Sequence, residues 1–272
     1  MRLEPALAGT AAGWQAVRME TPPLNARFTL AARLLMGVVV PATNVTTEAE
    51  MADLRPHGVA NATARIANPD RAVSSDADVA EVRAAMVAGL MGALDTLAPA
   101  RPDHVAIGVM VENFAGGGPA GEALLAEAAA RVGCPVTAPT HASLAALAAL
   151  DVTRVALLTP FFPAGDAAAR AFLEEAGIVV PRVLGLRAPG PAAIGRITAE
   201  RLREAVRELD GPDVQAVMQV GTNLPFAAVA LAAEAELGKP VLATNPVTYW
   251  HALRQAGVAP TMPGAGRLFS LT

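Results

Sequence analysis

The sequence predicts an α/β fold of two similar parallel-sheet units, related by pseudo-twofold symmetry, with a ligand cleft between them. The chain of 272 residues is 53% hydrophobic but only 4% aromatic, which suits Ala-rich helices packed on Val-rich strands. Three strand–loop–helix features recur in the same order, about 105–119 residues apart. This repetition indicates an internal duplication, although α/β folds in general repeat such units.

The first repeated feature is a buried strand that ends at a proline. Leu35–Val40 is a continuous apolar run before Pro41, as expected of a strand that is buried on both faces. A polar loop follows, and a helix with acidic residues in its first turn is predicted to start near Thr46 or Thr47. The repeat comprises Arg154–Thr159, Pro160 and a predicted helix over Ala164–Ala176.

Two further features complete each unit. Val105–Val111 is an apolar run that leads into a Gly-rich loop, and Val214–Val220 is its counterpart. Pro135–Ala138 and Pro240–Ala243 are the third pair, and each precedes a predicted helix. Parallel sheets bind ligands beyond the carboxyl ends of their strands, so the loops after these strands are predicted to line the cleft.

The chain is predicted to divide into three parts. Residues 1–33 contain three prolines and no sustained hydrophobic period, which predicts an N-terminal arm. Residues 34–150 are predicted to form the first α/β unit and residues 151–272 the second, with exchange of a helix between the units left open.

Composition and charge exclude several classes of function. The formal net charge is −4 and there is no long basic run, so no nucleic acid partner is expected. The apolar runs are far shorter than the roughly 20 residues that cross a bilayer, and the start does not resemble a signal peptide. We therefore expect no membrane partner and a cytoplasmic location. Cys134 is the only cysteine and no metal-binding motif occurs, so no disulfide, metal or other cofactor is expected.

Two loops are predicted to form a cradle for a carboxylate. Thr43 and Asn44 follow the first strand, and Gly221, Thr222 and Asn223 lie at the matching position in the second unit. Hydroxyls, amides and the backbone N–H groups of a helix start are suited to hold an anion, and Gly221 lets the backbone approach a ligand closely. The alternative is ordinary helix capping in the first loop and a tight turn in the second.

Few acid–base residues follow the predicted strands. Desolvation after an apolar run would raise the pKa of the Glu112 carboxyl and suit it to proton transfer, unless Glu112 lies in a solvated loop. His141, beside Thr140, is a second candidate acid or base, although a lone histidine more often caps a helix or lies at the surface. Asn245 offers an amide donor in the equivalent loop of the second unit.

Four short motifs occur in order between about Leu35 and Val258. They are Pro41-Ala42-Thr43-Asn44 with Glu48, Thr159-Pro160-Phe161, Gly221-Thr222-Asn223, and Asn245 with Trp250-His251-Ala252-Leu253-Arg254. This ordered set resembles the maleate cis-trans isomerase and arylmalonate decarboxylase branch of the aspartate/glutamate racemase superfamily. The resemblance implies flavodoxin-like units, a small carboxylate substrate and a homo-oligomer, either a dimer or a tetramer.

The sequence departs from this family at the residues that usually carry its chemistry. The resemblance implies a cysteine at the end of the middle strand of one or both units, and those positions are Val109 and Gly221 here. Phe161 replaces the family tyrosine, and Cys134 matches neither cysteine. Racemisation by a cysteine pair and thiol addition to a double bond both need a thiolate. Decarboxylation is less demanding, because an apolar wall destabilises one carboxylate and donors hold the developing enediolate. Its proton could come from Glu112, His141 or water.

The leading hypothesis is an enzyme of this type that acts on a small carboxylate or dicarboxylate by non-cysteine chemistry. Isomerisation, decarboxylation and hydrolysis are all open from the sequence. The alternatives are a non-catalytic carboxylate-binding protein on the same fold and an assembly subunit that uses the arm. Glu112 and His141 are the predicted catalytic residues. The predicted substrate-binding residues are Pro41, Thr43, Asn44, Val109, Met110, Val111, Asn113, Thr140, Phe161, Gly221, Thr222, Asn223 and Asn245.

Overall fold

The computed structural model describes residues 28–68, 70, 76–109, 118–260, 262 and 264–271. Most of the predicted arm, residues 1–27, lies outside the described residues. Four of the predicted site residues also lie outside them, namely Met110, Val111, Glu112 and Asn113.

The described residues form two parallel sheets of four strands each. The first sheet contains β1 (Leu34–Pro41), β2 (Val59–Ile66), β3 (His104–Ile107) and β4 (Val136–Thr137), in the order β2-β1-β3-β4. The second contains β5 (Arg154–Thr159), β6 (Val179–Gly185), β7 (Ala216–Gln219) and β8 (Val241–Leu242), in the order β6-β5-β7-β8. The identical order confirms the predicted α/β fold with two similar parallel-sheet units.

Helices connect the strands, as parallel pairing requires. In the described ranges they are α1 (Thr46–Asp53), α2 (Asp76–Leu97), α3 (Gly118–Val132), α4 (Pro139–Ala149), α5 (Pro163–Glu175), α6 (Pro191–Ile194), α7 (Ala199–Leu209), α8 (Ala227–Leu237) and α9 (Thr244–Gln255). Three begin with proline, whose fixed φ suits a first helical position. Over the part of the chain that the structure describes, no helix is long and apolar enough to cross a membrane.

The strand register makes the two units equivalent at the centre of each sheet. β1 pairs with β3 as far as Ile107, and β5 pairs with β7 as far as Gln219. Val109 and Gly221 each lie two residues beyond that last pair, at the carboxyl ends of the two middle strands. The two positions that the sequence singled out are therefore structural counterparts of one another.

Helices α4 and α9 interleave the two cores. Tyr249 and Leu253 of α9 pack against Met36 of the first sheet, whereas Leu147 of α4 packs against Leu157 of the second. α4 and α9 also contact each other. Burial of each such side chain contributes about 1.5–3 kcal/mol, so this packing ties the two sheets together. The unit boundaries at residues 34 and 151 stay a prediction.

Candidate functional site

The loops after β1 and β7 meet at the carboxyl ends of the two sheets. The Thr47 hydroxyl donates to the Thr222 carbonyl at 3.0 Å, and the Thr46 hydroxyl donates to the Asn223 carbonyl at 2.9 Å. The Asn44 amide donates to the Thr222 hydroxyl at 3.1 Å. All five residues are buried. The two loops that the sequence paired as a cradle are thus in direct contact.

The Asn44 side chain caps the start of α1. The Asn44 side-chain oxygen accepts the backbone N–H groups of Thr46 and Thr47, both at 3.0 Å. Because Asn44 satisfies these two N–H groups, the hydroxyls of both threonines are available to bond across to the second unit.

Asn223 and Asn245 complete this network from the second unit. The Asn223 amide donates to the Thr43 carbonyl at 3.2 Å. The Asn245 amide donates to Glu50 Oε2 at 2.7 Å and to the Thr222 carbonyl at 2.8 Å. These polar side chains bond to one another, so they form the frame of the site. Their predicted contact with substrate stays a prediction.

Two backbone N–H groups beside this frame are not used in its hydrogen bonds. The Gly221 carbonyl accepts from Gln219 Nε2 at 2.7 Å, and the Thr222 carbonyl accepts from Asn245. The C=O and N–H of a trans peptide point in opposite directions, so the N–H groups of Thr222 and Asn223 point away from these partners. Among the described residues, neither N–H has a hydrogen-bond acceptor. Two adjacent N–H groups of this kind form an anion-binding concavity, which we call the strand-end nest.

Gly221 gives this turn a backbone that other residues rarely adopt. Its φ is +105°, and a Cβ added there would lie 2.6 Å from both Cγ and Cδ of Pro160. The Phe161 ring lies beside the same point, 3.7 Å from it. Val109, its counterpart in the first unit, carries a side chain buried in the core of that unit. A side chain at position 221 therefore requires the backbone to move, whereas one at position 109 does not.

Two polar residues after β2 extend the site and were missed in the sequence. The Asn68 amide donates to the Thr43 hydroxyl at 3.1 Å, and Asn68 Oδ1 is buried without a hydrogen-bond partner. Asp70 accepts the backbone N–H of Ala192 in α6 at 3.1 Å. Both residues follow the carboxyl end of a strand, which was the available signal, but the predicted repeats did not include β2.

Comparison with known proteins identifies the group to which this fold and site belong. The family model described as arylmalonate decarboxylase matches residues 96–269. The chain belongs to the arylmalonate decarboxylase family. It is 30% identical to maleate isomerase of Nocardia farcinica over 239 residues, which cover 86% of this chain and 94% of that protein. It is also 36% identical to arylmalonate decarboxylase of Bordetella bronchiseptica over 141 residues, which cover 50% and 58%.

Solved structures of family members share the whole fold. The N. farcinica maleate cis-trans isomerase bound to TRIS superimposes with a TM-score of 0.78 and 28% identity, covering 87% of this chain and 97% of that chain. A mutant of arylmalonate decarboxylase in its liganded form superimposes with a TM-score of 0.73 and 25% identity, covering 88% and 100%. These comparisons confirm the resemblance that the ordered loop motifs indicated.

This family member lacks a cysteine at its described strand ends. A serine mutant of the N. farcinica isomerase carries a covalently bound succinylcysteine intermediate. Here Cys134 lies between α3 and β4, at the opposite end of the sheet from the cleft. Burial, and secondarily the negative charge of Asp103, raises the pKa of its thiol to about 11. Cys134 is therefore a thiol at neutral pH and is remote from the strand-end nest.

The remaining predicted site residues are three predicted binding residues, Pro41, Thr140 and Phe161, and the two predicted catalytic residues, His141 and Glu112. Pro41 ends β1, Thr140 is buried in the first turn of α4, and Phe161 borders Gly221. His141 Nε2 lies 2.7 Å from Glu122 Oε1, with the histidine side chain 42% exposed. Across the described ranges, His141 makes no hydrogen bond to the two cleft loops. Its catalytic role stays a prediction, as does that of Glu112, which lies outside the described residues.

Glu50 is a partly buried acid of α1 that bonds to the second unit. Its carboxylate accepts the backbone N–H of Ala227 at 2.8 Å and the amide of Asn245 at 2.7 Å. Burial raises the pKa of the Glu50 carboxyl, although these hydrogen bonds oppose the shift. No group of three or more potential ligand residues that could hold a metal ion occurs in the described part of the chain.

Proposed function

We propose that this family member decarboxylates a small malonate-type dicarboxylate without a cysteine. The observation that carries the proposal is the strand-end nest, in which the N–H groups of Thr222 and Asn223 have no acceptor among the described residues. The nest occurs where the resemblance implies a catalytic thiol. Its donors are suited to hold an anion, and they cannot act as a nucleophile.

The proposed reaction needs stabilisation of charge more than covalent catalysis. Cleavage of the bond between the α-carbon and one carboxylate releases CO2, and the electron pair passes into the remaining carboxylate as an enediolate. The N–H groups of Thr222 and Asn223 would donate to the enediolate oxygens. A single donor of this kind contributes about 100- to 1,000-fold in rate. A proton then adds to the α-carbon, from water or from Glu112.

Cysteine-dependent isomerisation fits this chain less well. Thiol addition to a double bond needs a nucleophilic thiolate, and neither Val109 nor Gly221 can provide one. Cys134 lies at the opposite end of its sheet. The relatives reported above are named as enzymes, so the comparisons do not favour the alternative of a non-catalytic carboxylate-binding protein.

Incubation with candidate substrates in deuterated water tests this function. The full-length protein would be mixed with phenylmalonate, methylmalonate or maleate and followed by proton NMR. We expect a malonate to lose CO2 and to give a monocarboxylate with one deuterium on the α-carbon. Conversion of maleate to fumarate without turnover of either malonate would contradict the proposed reaction.

Matched glycine variants identify the site responsible. Gly221→Ala introduces a Cβ that meets Pro160 at 2.6 Å, so we expect activity to fall by at least about 100-fold. Gly92→Ala, where a Cβ meets nothing within 4 Å, should retain full activity. Equal activity in the two variants would exclude the strand-end nest from catalysis.

A further inference from the structure

Gln219 is a buried amide side chain in an otherwise apolar strand. It is the last residue of β7, is 1% exposed, and is the structural counterpart of Ile107 in β3. Sequence analysis placed it within an apolar run and assigned it no role. A buried amide costs free energy unless its hydrogen bonds are made, so its partners indicate what it does.

The hydrogen bonds of Gln219 fix which way its amide faces. Gln219 Oε1 accepts the backbone N–H of Thr244 at the start of α9, at 3.1 Å. Gln219 Nε2 donates to the Gly221 carbonyl at 2.7 Å. Because the helix N–H can only donate, Oε1 must face Thr244 and Nε2 must face Gly221. Both backbone partners thus require the same orientation of the amide, and the helix partner would keep it if the turn changed.

The Gly221 carbonyl accepts two hydrogen bonds, one from the Leu224 backbone N–H within the turn at 3.1 Å and one from Gln219 Nε2 outside it. Glycine populates positive and negative φ about equally, so Gly221 itself does not fix the orientation of the Gly221–Thr222 peptide, and these two donors hold it. If this peptide flipped, the Thr222 N–H would face the Nε2 donor of Gln219, and the Gly221 carbonyl would replace that N–H at the cleft. A donor facing a donor in a buried position is unfavourable.

We propose that Gln219 is a positioning residue that keeps the Thr222 N–H directed into the cleft. This inference rests on the proposed function of the strand-end nest and names the side chain that sets its geometry. Gln219 touches no reacting atom. It acts through the Gly221 carbonyl, and the fixed N-terminus of α9 supports it.

Two substitutions at position 219 separate this role from simple core packing. Gln219→Met keeps a similar volume but removes the donor, so we expect malonate affinity, measured by calorimetry, and kcat to fall by about tenfold or more. Thr137→Val is the matched control, because it also removes a buried hydrogen-bonding group, the hydroxyl that contacts His104 Nε2 at 2.8 Å in the first unit. It should lower the melting temperature without changing malonate affinity.

Gln219→Glu adds a pH readout that a packing role would not produce. A protonated carboxyl can donate to the Gly221 carbonyl and accept from Thr244, as the amide does, whereas the carboxylate can only accept. Burial raises the pKa of such a carboxyl. Malonate affinity of Gln219→Glu should therefore be near that of the wild type below this pKa and should be lost as the pH rises through it.

The outcomes distinguish this inference from the proposed function. Malonate binding without turnover in the wild type would contradict decarboxylation and leave the affinity test of Gln219 intact. Unchanged affinity in Gln219→Met, with a loss of stability like that of Thr137→Val, would overturn the positioning role. A Gln219→Glu variant whose malonate affinity follows pH as the wild type does would also overturn it.

Discussion

The two middle strands have equivalent positions in their sheets but end in opposite ways. β3 leads to Val109, whose side chain is buried in the core of the first unit. β7 leads to Gly221, whose positive φ and contact with Pro160 leave no room for a side chain. The difference teaches that a duplicated fold can keep its frame while its two strand ends diverge. The first end carries a buried apolar side chain, and the second presents backbone N–H groups.

The largest expected effect comes from placing a cysteine at each strand end. Gly221→Cys must displace Pro160 or abandon the positive φ, so we expect malonate decarboxylation to fall by at least about 100-fold. Val109→Cys replaces one buried side chain by another of similar size and should cost less than about 1.5 kcal/mol in free energy of unfolding. Steady-state kinetics and chemical denaturation of the two variants measure these effects.

The two cysteine variants control for each other. Both introduce a thiol at the carboxyl end of a middle strand, so the presence of a thiol alone cannot account for a difference between them. If Gly221→Cys decarboxylates malonates as fast as the wild type, the nest geometry does not support the reaction.

The repeat could be predicted from the sequence, because each of its strands is a short apolar run with a recognisable end. The prolines after Leu35–Val40 and Arg154–Thr159, and the repeated apolar runs, depend on local burial, which leaves a pattern along the chain. The predicted helix Ala164–Ala176 agrees with α5 to within one residue at each end.

Side-chain partners in the site could not be predicted in the same way. An asparagine in a loop has the same sequence signature whether its amide faces a ligand or another loop, and Asn44 finds its partner Thr222 at a separation of 178 residues. Gln219 lies within an apolar run, so hydrophobic periodicity concealed it. The orientation of a peptide group, on which the strand-end nest depends, leaves no mark in composition.

Removal of the buried cap of α1 should lower the free energy of unfolding more than removal of an exposed cap in the second unit. Asn44→Ala removes the acceptor for two backbone N–H groups and leaves the buried Thr222 hydroxyl without its donor, so we expect a loss of about 2–4 kcal/mol. Thr198→Ala removes an exposed cap at the start of α7, where the hydroxyl accepts from Arg201 at 3.3 Å, and should cost about 0.5–1 kcal/mol. Urea denaturation of both variants measures the contrast, and equal losses would contradict it.

The buried histidine at the start of β3 should make the fold sensitive to acid. His104 opens β3 where Ala216 opens β7. Burial, and secondarily the positive charge of His251, lowers the pKa of His104 from 6.5 to about 4. A lowered histidine pKa means that the unfolded chain binds the proton first, so this stability is present above pH 6.5 and is lost as the pH falls towards 4.

His104→Leu tests this pH dependence, since leucine does not titrate. We expect the wild type to lose a few kcal/mol relative to the variant between pH 6.5 and 4. At neutral pH the variant should be less stable, because the Thr137 hydroxyl loses its partner. A difference in the free energy of unfolding that stays constant over this pH range would show that His104 does not contribute to acid unfolding.

The smallest expected effect comes from an exposed ion pair at the rim of the first unit. Glu48 lies 2.6 Å from Arg65 of β2, with both side chains more than 40% exposed, and the register places Gly185 at the counterpart of Arg65. Water and salt screen an exposed pair of this kind. Glu48→Gln should therefore lower the free energy of unfolding by less than about 1 kcal/mol, and by even less at high salt.

Glu50→Gln, two residues along α1, should lower the free energy of unfolding more, because a carboxamide has only one acceptor oxygen for the Ala227 N–H and the Asn245 amide. Urea denaturation at low and high salt measures both, and a larger loss of free energy of unfolding for Glu48→Gln would contradict the ranking of the partly buried Glu50 carboxylate above the exposed ion pair.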